Sequence, residues 1–312
     1  MPASMDMYTQ GTIGDVHTIL AITPDKNTLR QIPWQPTQAY VFADILTTEG
    51  TPDDGCPRSL LRRMTRELAD LGFEMKIGFE TEFVIANEDN TYPDTNTYCN
   101  SKTFDKFSDV LEEIDKNLEA LGVRVLTIHK EAFPSQFEIV TDYGEPIEIC
   151  DKLLLTHETI SSVLERRGYK LDLLPGHGNG AHLHTSIWKN GKNITGDLDS
   201  KFGISPIAES FVGSLLQSLP ALVSLTVPSL MSLERLKPGR WAGAFTAWGI
   251  ESKECPVRVC LPLKKGKPVT NIELKLFDPT ANFYVGVAAV VALAAHGIQN
   301  KMTAPDPVVD DP

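Results

Sequence analysis

The run IGFETEFVI, residues 77–85, places Glu80 and Glu82 at alternate positions of an otherwise apolar strand. Successive side chains of a strand point to opposite faces, so these two carboxylates share one face and Thr81 takes the other. Like charges a few ångströms apart repel, and burial raises the cost of each. Such a face is either wet or covered by cations, and the pair alone leaves both open. The pattern then recurs. HKEAFPSQFEIV carries Glu131 and Glu138, GNGAHLHTSIW sets His182 and His184 on one strand face, and NIELKLF holds Glu273 between Ile272 and Leu274. Arg235 in LERLKPG and Arg258 in VRVC stand on apolar-flanked backbone. A lone buried histidine is more often a hydrogen-bonded core residue than a ligand. Several carboxylate and imidazole stretches in apolar strands together favour the covered face. Oxygen ligands with few imidazoles suit hard divalent ions, Mg²⁺ or Mn²⁺, rather than zinc or copper. Two such ions would neutralise the carboxylates and still take phosphate oxygens, with the arginines facing phosphate or a substrate carboxylate. The residues alone thus point to a two-metal phosphoryl-transfer site.

The bulk composition fits that reading. The 312 residues carry 29 Lys and Arg against 41 Asp and Glu, a net charge of −12, with no basic block. Nucleic-acid backbones and anionic membranes are therefore not expected partners. Five cysteines, with no CxxC spacing, suit a reducing cytoplasm better than a disulfide frame. The opening MPASMDMYTQGTIGD has neither the basic nor the apolar region of a secretory signal. VGVAAVVALAAHGI, residues 285–298, is too short to span a bilayer and reads as a buried core helix.

No repeat or linker divides the chain, so a single domain over residues 1–312 is expected, with an irregular opening segment and first strand in 1–55. ITPDKNTLRQIPWQPTQ is punctuated by proline and reads as irregular, and AYVFADIL as a strand. PRSLLRRMTRELADLG and KFSDVLEEIDKNLEALG are amphipathic helices, each ending at a glycine. VRVLTIHKE and QFEIVTD are strands, KLLLTHETISSVLERRG a helix, and GAHLHTSIW a strand turning at KNGKN. SPIAESFVGSLLQSLPALVSLT is helical up to Pro220 and resumes beyond it. GAFTAWGI, CPVRVCLP and NIELKLFD are short strands before a last helix from about Asn282. Helices mixed with hairpins, without a βαβ rhythm, make an α+β fold.

The order GFETEFVI, EAFPSQFE, GNGAHLHTSIW, ERLKPGRWAGAFTAWG with PVRV, and IELKLFDPTANFY resembles the glutamine synthetase catalytic domain from about residue 20 onward. It is similar above all to the fungal and plant FluG/nodulin-type branch. The resemblance implies a curved antiparallel sheet backed by helices, assembled as a homo-oligomeric ring. The implied reaction activates the glutamate γ-carboxylate with ATP for attack by ammonia or another amine. Carried over by position, Glu82, Glu131 and Glu138 would ligate one Mg²⁺ or Mn²⁺. Glu80, His182 and Glu273 would ligate the second. His177, Gly178, Arg235 and Trp241 would contact glutamate or amine, while His184, Ser186 and Arg258 would lie along the nucleotide. Arg235, Arg258, Lys253 and Lys275 would carry the catalytic positive charge.

The chain also departs from the family pattern. The flap reads Pro238-Gly239-Arg240-Trp241, with Trp241 where the family has the glutamate that takes a proton from ammonium. Ser252-Lys253 replaces an Asn-Arg pair, Lys275 a second arginine, and His177 a pocket asparagine; lysine keeps the charge and loses the bidentate fork. The family's N-terminal β-grasp domain is expected to be essentially absent, and its C-terminal helical region cut short at APDPVVDDP. A weak or inactive scaffold or signalling protein is the competing reading, and a guanidino-kinase-like phosphotransferase a third.

Overall fold

The computed structural model describes residues 20–309; what the sequence suggests for 1–15 lies outside them. Along the chain come β1 (Ala21–Pro24), β2 (Arg30–Ile32), β3 (Gln35–Tyr40), β4 (Ala43–Leu46), α1 (Pro57–Asp70), β5 (Glu74–Asn87) and α2 (Ser101–Ala120). Next are β6 (Val125–Lys130), β7 (Gln136–Thr141), α3 (Pro146–Arg166), β8 (Tyr169–Asp172), β9 (Ala181–Lys189), β10 (Lys192–Asn193) and α4 (Pro206–Thr226). The described chain closes with α5 (Ser232–Arg235), β11 (Trp248–Ile250), β12 (Val257–Cys260), β13 (Asn271–Leu274) and α6 (Phe283–Asn300).

Nine of these strands make one sheet, ordered β11-β12-β13-β9-β5-β7-β6, with β10 beside β9 and β8 beside β5. All pairs are antiparallel except β11 with β12 at the edge, which run parallel. The fold is the expected large sheet backed by helices. Alternation along the strands gives the sheet two chemically opposite faces. Met75, Ile77 and Phe79 of β5, Leu183 and Ile187 of β9, and Ile272 and Leu274 of β13 turn to one face. There they join a buried cluster with residues of α1, α3, α4 and α6. Phe83 and Ile85 of β5 continue into a second cluster with Phe137 and Ile139 of β7 and the apolar stripe of α2. The intervening residues, Glu80, Glu82, Glu138, His182, His184 and Glu273 among them, turn to the other face.

Both α4 and α6 are apolar and long enough to span a bilayer by length and composition, yet half or more of each apolar window is buried in the protein. They meet at Gly297, where an added Cβ would lie 2.2 Å from the Ser210 carbonyl oxygen, so only glycine permits this approach.

Several element expectations need correction. ITPDKNTLRQIPWQPTQ is not irregular: it contributes β1, β2 and most of β3, and AYVFADIL breaks between β3 and β4 at Val41–Phe42. Helix α3 starts at Pro146, whose ring suits the first helical turn, six residues before the expected start. Helix α4 runs unbroken through Pro220, because Leu219 and Leu222 on either side of it are anchored in the core. Of GAFTAWGI only Trp248–Ile250 is strand, and β8 is an unanticipated strand.

Candidate active site

Cross-strand register brings the ionisable residues into neighbouring rows on the face turned away from the helices. Arg258 of β12 pairs with Glu273 of β13, and Glu273 with His184 of β9. One step along, Glu80 of β5 pairs with His182 of β9, and in the next row Glu82 pairs with Glu138 of β7, which faces His129 of β6. Directly paired residues share a face, so the side chains converge without any special loop. Among the six expected metal ligands the exception is Glu131, in the turn between β6 and β7.

Above this floor lies a cavity of about 810 Å³ lined by Glu80, Glu82, Glu131, Glu138, His182, Glu273, Arg235, Arg258, Lys253, Lys275, His177, Gly178 and Trp241. Thirteen of the fifteen candidate residues therefore border one space. Of the other two, His184 is one row away, with Nε2 3.1 Å from Glu80 Oε1 and Nδ1 2.8 Å from Asn271 Oδ1. Ser186 is further along β9, donating to the Lys76 carbonyl and accepting from Trp188 Nε1 at 2.9 Å. Neither borders the cavity.

Glu80, His182 and Glu273 bring one ligand atom each within 4.8 Å of one another. The other expected triple is arranged differently. Glu82 and Glu138 group with His182, while Glu131 and Glu138 group with His129. His129 Nε2 lies 2.8 Å from Glu131 Oε1, and its Nδ1 3.6 Å from Glu138 Oε1. His129 escaped the sequence reading, although its place two residues before Glu131 in a β-strand was the available signal. Glu82 accepts from the Gly180 amide at 2.7 Å. Arg235 reaches out from α5, not from a strand. It is buried, donating to the carbonyls of Lys275 and Phe277 at 3.2 and 3.0 Å. Lys253 is in the turn after β11, with Nζ 4.7 Å from the Trp241 ring centroid.

Electrostatically the floor calls for cations. Burial pushes the Glu138 carboxyl up to about 10, with Glu80, Glu82, Glu131 and Glu273 adding repulsion. Burial likewise raises Glu82. For Glu80 burial is opposed and outweighed by hydrogen bonds from His182 and His184, which hold its carboxyl low. Against burial, Lys275, His182, His184 and Arg258 do the same for Glu273. Lys275 Nζ donates to Glu273 Oε1 at 2.7 Å. Glu273 Oε2 is buried and has no hydrogen-bond partner, despite Arg258 Nε 3.1 Å away. A carboxylate cluster with an orphaned oxygen and a proton held far above neutrality fits hard divalent ions.

Comparison with known proteins agrees with this chemistry. Residues 54–312 match the family "Glutamine synthetase, catalytic domain". The chain is 33% identical over 306 residues to the γ-glutamylpolyamine synthetase GlnA3 of Streptomyces coelicolor, covering 94% of this chain and 66% of that protein. It is 32% identical over 314 residues to the glutamine synthetase of Methanocaldococcus jannaschii, covering 96% and 68%. The chain thus spans about two thirds of the length of these relatives. The solved structure described as a GmaS/ADP complex superposes with a TM-score of 0.87 at 26% identity, covering 99% of this chain and 76% of that one. With a matched catalytic domain, a shared fold and the acidic face in place, the chain belongs to the glutamine synthetase catalytic-domain family.

Proposed function

We propose that this protein is an ATP-dependent carboxylate–amine ligase acting on glutamate, with ammonia or another amine as acceptor. The observation that carries the proposal is the convergence of Glu80, Glu82, Glu131, Glu138, His182 and Glu273 on one cavity floor. In this reading an oxygen of the γ-carboxylate attacks the γ-phosphorus of ATP and ADP leaves, giving an acyl phosphate. The amine nitrogen then attacks the carbonyl carbon, phosphate leaves, and the nitrogen gives up a proton. Two Mg²⁺ or Mn²⁺ ions, one held by Glu80, His182 and Glu273 and the other by Glu82, Glu131 and Glu138, would supply charge neutralisation for the transferred phosphoryl group.

The chain's own residues have distinct tasks. Arg235, braced by two backbone carbonyls, takes the α-carboxylate of glutamate. Arg258 and Lys275, both against Glu273, face phosphate oxygens. His177 and Gly178 border the glutamate pocket, and Lys253 and Trp241 the acceptor side. His184 and Ser186 extend the same sheet face towards the nucleotide. The Trp-containing flap supports a place beside the FluG/nodulin-type branch. We read residues 1–312 as one catalytic domain working in a cytoplasmic homo-oligomeric ring, a compartment that suits five free thiols.

The test is phosphate release by purified protein with Mn²⁺, ATP, glutamate and a panel of ammonia, monoamines and polyamines. Release that requires both glutamate and an amine, and is lost in Glu131→Ala together with Mn²⁺-dependent nucleotide binding, supports the ligase. No release with any acceptor favours the scaffold reading.

A further inference from the structure

The loop over the cavity mouth is held by a residue outside the catalytic set. Gly239 and Trp241 both have left-handed backbone, with φ of 76° and 55°. For a bulky residue such as tryptophan this conformation is strained and persists only where the surroundings impose it. Glu254 imposes it here. One carboxylate oxygen accepts from the Gly239 amide at 3.1 Å and the other from the Trp241 amide at 3.0 Å. Glu254 is 5% exposed, so both charge-assisted bonds are sheltered, while Trp241 itself stays 55% exposed at the rim. The next residue back, Lys253, sets its ammonium 4.7 Å from the centre of the Trp241 ring. A cation over an indole face is the position in which a substrate ammonium would otherwise bind. Arg240 stands on the same rim. Among the described residues neither Arg240 nor Lys253 forms an ion pair with a carboxylate, whereas Lys237 is paired with Glu234.

We propose that Glu254 and Lys253 fix Trp241 as a preformed apolar wall whose cation seat is filled from within. The accepted amine then carries one amino group on a compact apolar tail. A polyamine entering past this rim keeps its distal ammonium beside Lys253 and Arg240, and charge excludes it. The proposal rests on the ligase reading. Glu254 acts as a positioning residue, since it touches the flap backbone and not the reactants.

The experiment compares ethylamine and benzylamine with putrescine and spermidine as acceptors, by kcat/KM of phosphate release. The monoamines are expected to lead by about tenfold, and Lys253→Gln to narrow that ratio. Glu254→Gln puts an amide where one flap N–H needs an acceptor. It is expected to raise KM for benzylamine severalfold while KM for glutamate and ATP and the thermal midpoint hold, and Glu254→Asp is expected to recover part of the loss. Acrylamide quenching of tryptophan fluorescence should change in Glu254→Gln as Trp241 comes loose. Polyamines preferred by the native protein, or a Glu254→Gln effect spread equally over all three substrates, would overturn the proposal and leave the ligase standing. If no amine is turned over the ligase reading falls. Calorimetry of benzylamine against spermidine on the Mn²⁺–ADP-loaded protein then decides the wall by itself.

Discussion

Glu138 shows what a single residue on this face contributes. It is buried in β7 beside four other carboxylates, and its proton is held up to about 10. A folded-state value raised above the unfolded one gives stability that is complete below about 4.5 and is lost as pH rises towards 10. The metal-free protein at pH 8 therefore keeps Glu138 protonated. With Glu138 as a ligand, as proposed, uptake of a divalent ion would expel that proton, since only the carboxylate coordinates. We expect about one proton released per site on Mn²⁺ uptake at pH 8, measured by calorimetry in buffers of differing ionisation enthalpy. Glu138→Gln, an uncharged isostere, should release less and unfold at or above the native midpoint without metal. Equal proton release in the variant would assign the proton elsewhere. Glu80, Glu82 and Glu138 were legible in the sequence because alternation fixes which face a strand residue takes. His129 obeys the same alternation but offers one imidazole in an apolar run, the signature of an ordinary core histidine. Glu254 was hidden for another reason. Its partners are backbone amides of Gly239 and Trp241, which no side-chain pattern encodes.

At the level of elements, the helices must bury themselves against the reverse of β5. His157 of α3 does so directly, with Nε2 2.9 Å from Oγ1 of Thr81, the residue between Glu80 and Glu82, and its ring 5.8 Å from Phe283 of α6. Burial lowers its imidazole to about 4, so it is neutral in the folded protein. In the unfolded chain it titrates near 6.5 and takes up a proton that the folded protein refuses. Its contribution is therefore intact above pH 6.5 and lost as pH falls towards 4. Denaturant unfolding from pH 7.5 to 4.5 should show a slope, worth up to about 3 kcal/mol, that is flattened in His157→Gln. Identical slopes would mean that other groups dominate. The long elements β5, β9 and α6 were readable from their period, and α2 from its apolar stripe and closing glycine, although it starts at Ser101, ahead of the expected KFSDV. β4 falls within AYVFADIL and was read as strand, but β1 to β3 were not, because they are largely exposed without an apolar alternation, and the prolines of β1 and β3 mimic loop punctuation.

On the scale of the whole molecule, one cation ties the opening strands to the helical layer. Arg58 of α1 is buried and donates to Asp151 of α3 through Nε at 3.1 Å and Nη2 at 2.9 Å. It also reaches Asp44 of β4 at 3.1 Å and Asp25, just beyond β1, at 3.0 Å. Tyr284 of α6 donates to the same Asp151. Helices α1 and α3, strand β4 and the segment just after β1 thus meet at one guanidinium, and α6 joins through Asp151. The planar fork of Arg58 serves three carboxylates at once, which lysine cannot do. Sequence pattern could not reveal this hub, because Arg58 occupies an ordinary position in the first turn of an amphipathic helix and its partners are far away in the chain. Removing one member of a buried ionic network costs more than the network's net worth, because the others are left uncompensated. Arg58→Met should therefore destabilise the protein by about 3–5 kcal/mol in denaturant unfolding at pH 7. Arg58→Lys should cost less, as charge is kept and only geometry lost. The Arg58 hydrogen bond holds the Asp25 carboxyl below its usual range. That stability is present above the unfolded carboxylate value and lost as pH falls, so the penalty of Arg58→Met should shrink between pH 7 and pH 3. A penalty independent of pH would reassign Arg58 from a charge hub to a packing residue whose apolar stem fills the space between α1 and α3.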